Sequence, residues 1–217
     1  MRNNLHLNKG LDPEGNLRFT EVGQLAGISN TDWSWAPLFA DYDNDGFKDV
    51  IISNGYLRDY SNLDFNNYTV HEAYARAQST GEKLDLGLLI SKIPSTKVSN
   101  YIYKNVDGLL FEDKTEDWGL KLKTVSNAMA YADFDNDGDL DLIINNLNDP
   151  ILFYENLENE QFSNNFLSLT LRGEGKNTQA LGTKVILNFA DGSHIYQEAY
   201  YIRGFQSSVE PKMNIGL

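Results

Sequence analysis

Asp41-Tyr42-Asp43-Asn44-Asp45-Gly46-Phe47-Lys48-Asp49 returns 92 residues later as Asp133-Phe134-Asp135-Asn136-Asp137-Gly138-Asp139-Leu140-Asp141, which marks the chain as an internal repeat. Both copies place carboxylates at positions 1, 3, 5 and 9 and glycine at position 6. Nine of the 31 acidic residues fall in these two windows, a clustering that a generic solvated surface does not need. Calcium is a hard cation that takes about six to eight oxygens at roughly 2.3–2.6 Å, and alternate residues of a curled loop can point inward together. Glycine permits the sharp turn that brings a position-7 backbone carbonyl round to the ion, here that of Phe47 or Asp139. The expected metal ligands are therefore Asp41, Asp43, Asp45, Phe47 and Asp49 in one loop, and Asp133, Asp135, Asp137, Asp139 and Asp141 in the other.

Two carboxylates 4 Å apart repel by about 4 kcal/mol at an effective dielectric of about 20, so four in one loop spread or protonate unless a cation reverses the sign. Magnesium demands stricter octahedral geometry and gives up water reluctantly. Zinc prefers His or Cys, and neither stands nearby. An EF-hand needs a bidentate Glu at position 12, which here is Ile52 or Ile144. The flanks Val50-Ile51-Ile52 and Leu142-Ile143-Ile144 are strand formers, so these loops are expected to join strands. A solvated acidic turn is the plainer alternative, and two copies with matching flanks argue against it.

The repeat extends well beyond the loops. Phe19 matches Phe111, Gly27-Ile28 matches Gly119-Leu120, Ser34 matches Ser126, Ala36 matches Ala128, Ala40 matches Ala132, and Asn54 matches Asn146. A second recurring piece is a short apolar run closed by asparagine: Leu5-His6-Leu7-Asn8, Ile102-Tyr103-Lys104-Asn105 and Phe153-Tyr154-Glu155-Asn156. Each reads as a strand followed by a turn. The first copy carries about 41 extra residues, since 51 positions separate Asn54 from Asn105 and only 10 separate Asn146 from Asn156. This insertion, roughly 56–96, reads as a helical hairpin. Thr69-Val70-His71-Glu72 has the capping-box pattern, Gly81 ends that helix, and a second helix over Leu84 to Lys92 stops before Pro94. From Phe166 the sequence alternates again, and Asp191-Gly192 marks a hairpin between Lys184–Phe189 and His194–Tyr200. This last stretch reads as a separate β unit, with Gly173-Glu174-Gly175 as a hairpin turn.

The formal charge of −13 disfavours nucleic acid as a partner. The absence of cysteine excludes disulfides and thiolate metal sites. No apolar stretch reaches the roughly 20 residues of a membrane span, and residues 1–30 show no signal peptide, so any targeting segment is expected upstream in a longer parent. His6, His71 and His194 have no metal-ligand spacing, and no G-x-S-x-G nucleophile occurs. Acids packed four to a loop suit ion capture and not the separated acid and base of a glycosidase. Trp33, Trp35 and Trp118 are expected to fill gaps between packed sheets, with sugar stacking as the alternative. Catalysis is not expected.

The stretches Phe39-Ala40-Asp41 to Asp49-Val50-Ile51 and Tyr131-Ala132-Asp133 to Asp141-Leu142-Ile143 resemble the FG-GAP/VCBS repeats that build β-propellers in integrin α-chains and many bacterial surface proteins. The tail is similar to the ASPIC/UnbV domain, which follows such repeats in bacterial proteins and in cartilage acidic protein. The residues that carry this likeness are Asn165-Phe166-Leu167, Leu171, Gly182-Thr183-Lys184-Val185, Tyr200 to Ser208, and Asn214-Ile215-Gly216-Leu217. The Ser91–Ser95 stretch resembles insertions of Bacteroidetes-type members. The resemblance implies a mainly β chain: a partial β-propeller of FG-GAP/VCBS blades over 1–160, interrupted by the helical insertion 56–96, then an ASPIC/UnbV-like β segment over 161–217. It implies two Ca2+ sites, an extracellular or cell-surface location, and a non-catalytic binding or adhesion scaffold for a protein or glycan. The alternative is a calcium-dependent carbohydrate-binding module, or an accessory domain of a polysaccharide-degrading enzyme. Two repeats are fewer than the roughly four blades of the smallest closed propellers, so the chain is expected to be a fragment or to pair with the rest of a larger propeller.

Overall fold

A computed structural model of the chain describes residues 2–162 and 164–217. It is mainly β, built from small antiparallel sheets. Strands β1 (His6–Leu11) and β2 (Leu17–Glu21) form a hairpin. Strands β3 (Ser34–Ala40) and β4 (Asp49–Asn54) flank the first acidic loop. After the insertion come β5 (Val98–Ser99), β6 (Tyr101–Asn105) and β7 (Phe111–Asp113). The first four-stranded sheet has the order β3-β4-β6-β7. Strand β8 (Lys123–Thr124) pairs with β5, and β9 (Ser126–Ala132) and β10 (Asp141–Asn146) flank the second acidic loop. With β11 (Leu152–Tyr154) these two make a three-stranded sheet, β11-β10-β9. No closed barrel or propeller is formed by the described residues.

The unbroken apolar run of β4 is explained by burial on both faces. Ile51 joins Leu38 and Ile102 in a core shared with Met129, Leu142 and Ile144 of the second sheet. Val50 and Ile52 face the other way, onto Ala26, Ile28 and Tyr103. All six residues of β4 are buried. The second sheet is covered on one face only. Leu142 and Ile144 are buried against the first sheet, whereas Phe134 and Phe153 are exposed and stack edge-on at 5.5 Å. Their counterparts in the first copy, Tyr42 and Ile102, are buried between the sheets. Trp118 packs against that shared core, as expected of an inter-sheet filler. Trp33 and Trp35 do something else. Trp33 packs at a tilt against Tyr56, ring centroids 4.9 Å apart, and Trp35 against Phe205 at 5.0 Å, tying the first sheet to the root of the insertion and to the tail.

An antiparallel bridge between Tyr56 and Thr96 closes the neck of the insertion. Within it lie α1 (His71–Thr80) and α2 (Leu86–Ser91), neither with a buried residue. Gly81, at φ 71, ends α1 in the left-handed conformation that glycine adopts without strain. The capping box is not used. A wide π-turn over Phe65–Val70 runs straight into α1, and Val70 is helical (φ −71, ψ −47) with no side-chain cap. Upstream carbonyls replace the hydroxyl that Thr69 would otherwise supply. Helix α2 is capped by Asp85, whose side chain accepts from Leu88 N at 2.9 Å.

A short helix, α3 (Glu158–Gln161), leads to the tail. There β12 (Phe166–Leu169) pairs with β15 (Met213–Gly216), and β13 (Lys184–Asn188) pairs with β14 (His194–Glu198) across the Asp191-Gly192 turn. Gly173-Glu174-Gly175 lies in a turn, closed by Asn177 N to Glu174 O at 3.2 Å, but it is not a hairpin turn. Strand β12, which precedes it, takes the distant β15 as its partner. The tail strands meet both acidic loops.

Candidate metal centres

Each acidic loop is the connection of an antiparallel pair, Ala40↔Asp49 in one and Ala132↔Asp141 in the other. The curl depends on two left-handed residues per loop: Asn44 (φ 51) with Gly46 (φ 87), and Asn136 (φ 64) with Gly138 (φ 96). Asparagine tolerates this conformation better than most side chains, so its place at position 4 of both copies is a backbone requirement.

The ninth-position aspartates act first on the backbone. Asp49 accepts from Tyr42 N at 3.0 Å and from Asn105 N at 2.8 Å. Asp141 accepts from Phe134 N at 3.0 Å and from Asn156 N at 2.8 Å. The asparagine side chains return the favour, Asn105 Nδ2 to Lys48 O at 3.0 Å and Asn156 Nδ2 to Leu140 O at 3.4 Å. Asn105 and Asn156, which close two of the three short apolar runs, thus tie the third strand of each sheet to its acidic loop. Sequence reading finds this asparagine as a recurring mark but not its role, because its partners are 15 or more residues away. Each Asp carboxylate has about four lone-pair sites, so these bonds leave room for a cation.

Among the described residues, oxygens of Asp41, Asp43 and Asp49 lie within 4.8 Å of one another, as do those of Asp133, Asp135 and Asp137. The structure therefore gathers six of the ten expected ligand residues into two groups. Asp45 and Asp137 instead share a turn role, accepting from Phe47 N at 2.9 Å and Asp139 N at 3.0 Å. Asp137 also belongs to its group, and Asp45 does not. Asp141 and the side chain of Asp139 lie outside the second group, and Asp139 accepts from Asn159 N at 3.3 Å. Phe47 is an exposed side chain, so only its backbone is available to an ion.

Burial pushes the Asp41 carboxyl up to about 7, with Asp45 and Asp43 adding repulsion, despite the hydrogen bond from Gly46 N at 2.9 Å. It pushes Asp49 up to about 8 and Asp139 up to about 7, and raises Asp43 as well. Three buried carboxylate oxygens, Asp43 Oδ1, Asp133 Oδ1 and Asp139 Oδ1, have no hydrogen-bond partner. A buried acceptor without a partner costs about 1–3 kcal/mol, more when charged, and a bound cation removes that cost. Clustered, orphaned, oxygen-only donors fit a hard divalent ion such as calcium.

Lysines also reach both loops. Lys104 Nζ pairs with Asp43 Oδ2 and, at 2.8 Å, with Asp45 Oδ2. Lys212 Nζ pairs with Asp133 Oδ2 at 2.7 Å. Lys212 belongs to the tail, which grips both loops elsewhere too. Gly216 N donates to Asp41 Oδ2 at 3.1 Å, Asp133 N donates to Glu210 Oε1 at 3.0 Å, and Asn214 Nδ2 donates to Gly138 O at 2.7 Å. Asn44 Nδ2 donates to the same Gly138 carbonyl at 3.2 Å, so the two loops touch directly. A Cβ on Gly216 would collide with Asp41 and Asn44, and one on Gly138 with the Phe166 ring.

No curated protein matches the chain. Residues 173–217 match the family model described as ASPIC and UnbV, which places Glu210, Lys212, Asn214 and Gly216, the residues that grip both acidic loops, inside an ASPIC/UnbV segment.

Proposed function

We propose that this chain is a non-catalytic, calcium-stabilised extracellular scaffold for docking a protein or glycan, made of two FG-GAP/VCBS-type blades and an ASPIC/UnbV segment. The observation that carries the reading is the pair of matched acidic loops in which three buried carboxylate oxygens, Asp43 Oδ1, Asp133 Oδ1 and Asp139 Oδ1, lack a hydrogen-bond partner. When bound, calcium would supply charge neutralisation and a fixed centre for each loop. Asp41, Asp43 and Asp49 would hold one ion, and Asp133, Asp135 and Asp137 the other. Extracellular calcium is abundant enough to fill sites with a Kd of about 10⁻⁴–10⁻³ M. The acids of the two loops serve ion capture and backbone clamping.

The partial-propeller reading is supported by the way blades repeat their contacts. Each sheet buries one face on the preceding unit, and the face that the first sheet buries on the second is left bare on the second by Phe134 and Phe153. A further blade from a longer parent would cover it. The aromatic row Tyr56, Trp33, Trp35 and Phe205 favours a second reading, a calcium-dependent carbohydrate-binding module, since such faces stack on sugar rings. Glycan-array binding lost in Trp33→Ala with an unchanged melting temperature would select that reading.

Thermal melting tests the calcium reading. Calcium is expected to raise the melting temperature over chelator and over equimolar magnesium, and the rise is expected to shrink when Asp43→Ala and Asp137→Ala, one clustered carboxylate from each loop, are combined. Equal curves in all three conditions would remove the proposal.

A further inference from the structure

The two acidic loops differ at one place in the strand beside them. Val50 pairs with Tyr103 in the first sheet, and Leu142 pairs with Tyr154 in the second. The next residue is Lys104 in one and Glu155 in the other, so successive copies carry opposite charges at the same position.

The geometry of the loops follows that difference. Lys104 spans the carboxylates at positions 3 and 5, Asp43 and Asp45. In that loop the clustered oxygens come from positions 1, 3 and 9, and Asp45 stands apart. In the second loop no lysine or arginine pairs with position 3 or 5 among the described residues, and the clustered oxygens come from positions 1, 3 and 5. Lys212 reaches only Asp133, through one oxygen, and leaves Asp133 Oδ1 buried without a partner.

We infer that Lys104 is a tethered cation that sets the divalent-ion affinity of the first loop below that of the second. The inference rests on the calcium reading and adds that the two sites are unequal. An ion that takes oxygens from both Asp43 and Asp45 must displace the ammonium and break two charge-assisted hydrogen bonds. An ion that leaves the ammonium in place meets one fewer net negative charge and one fewer carboxylate. Either route weakens binding, because ligand number and charge tune calcium affinity. The second loop meets no such competitor at positions 3 and 5. It is the site that fills first, and the first loop fills only as calcium rises further.

Calorimetric titration of the metal-stripped full chain with calcium chloride tests this in the wild type, Lys104→Met and Glu155→Lys. The wild type is expected to show two classes of site whose Kd values differ by about tenfold or more. Lys104→Met is expected to tighten the weaker class toward the stronger one and leave the stronger unchanged. Glu155→Lys is expected to weaken the stronger class. Two equal sites in the wild type, or a folded Lys104→Met with both constants unchanged, would overturn the inference while leaving calcium binding intact. Should Lys104→Met fail to fold, an unchanged stronger class in Glu155→Lys would overturn it. No heat in any of the three proteins would instead remove the calcium reading, and the inference with it.

Discussion

Asp49 and Asp141 each hold two backbone N–H groups while standing beside other carboxylates, so the same side chain serves fold and site. This double use is why the acidic positions are legible in the sequence while their division of labour is not. The D-x-D-x-D-G-x-x-D spacing names the residues. Only the folded chain shows which accept from backbone, which pair with lysine and which keep a free buried oxygen. Asn44 and Asn136 are a plainer omission, because their left-handed backbone is readable from asparagine at position 4 of both copies. The raised carboxyls carry a pH prediction. Asp41 and Asp139 titrate near 7 and Asp49 near 8 in the folded chain without metal, against an ordinary value of 3.8. A group whose folded pKa is raised stabilises the fold fully below its unfolded pKa, and that contribution is lost as pH rises through the folded value. The melting temperature of chelated protein is therefore expected to fall between about pH 5 and pH 8. Calcium stabilisation is expected to grow over the same range, as protons cease to compete for the oxygens. A chelated melting temperature that is flat or rising across this range would contradict the assignment.

At the scale of elements, the strands are legible because alternation, β-branched runs and turn residues agree. The insertion is legible as helical, but the capping box misplaces its start, since a π-turn upstream makes the cap unnecessary. The docking of β12 and β15 onto the acidic loops is not legible. It depends on contacts between residues tens of positions apart, and no local pattern encodes those. Phe166 covers Gly138 so closely that a side chain at 138 has no room, whereas Gly81 at the end of α1 has nothing within 4 Å. Both glycines have positive φ, so alanine strains the backbone at each, by about 1–2 kcal/mol. Only Gly138→Ala adds overpacking, about 1–3 kcal/mol. Gly138→Ala is therefore expected to lower the melting temperature by several degrees more than Gly81→Ala, at about 2–4 °C per kcal/mol for a chain of this size. Equal losses in the two variants would show that the tail does not press on the loop.

At the scale of the whole molecule, two sheets and a tail converge on a pair of touching acidic loops. The sequence separates these parts as repeats and a trailing β unit, and the structure joins them through Lys212, Asn214 and Gly216. The helical insertion stands apart from that centre, with no buried residue in either helix and a neck closed at Tyr56 and Thr96. The second sheet leaves Phe134 and Phe153 exposed on its outer face. The two sheets are held by the apolar core around Leu38, Ile51, Met129 and Ile144, and the tail is joined to the loops by the polar contacts of Lys212, Asn214 and Gly216. The most direct measurement is an anomalous-difference map from crystals grown with calcium. Calcium binding at both loops is expected to give two peaks per chain, each at about 2.3–2.6 Å from several carboxylate oxygens of one loop. A well-ordered map with neither peak, and with the aspartates turned out to water or held only by Lys104 and Lys212, would contradict it.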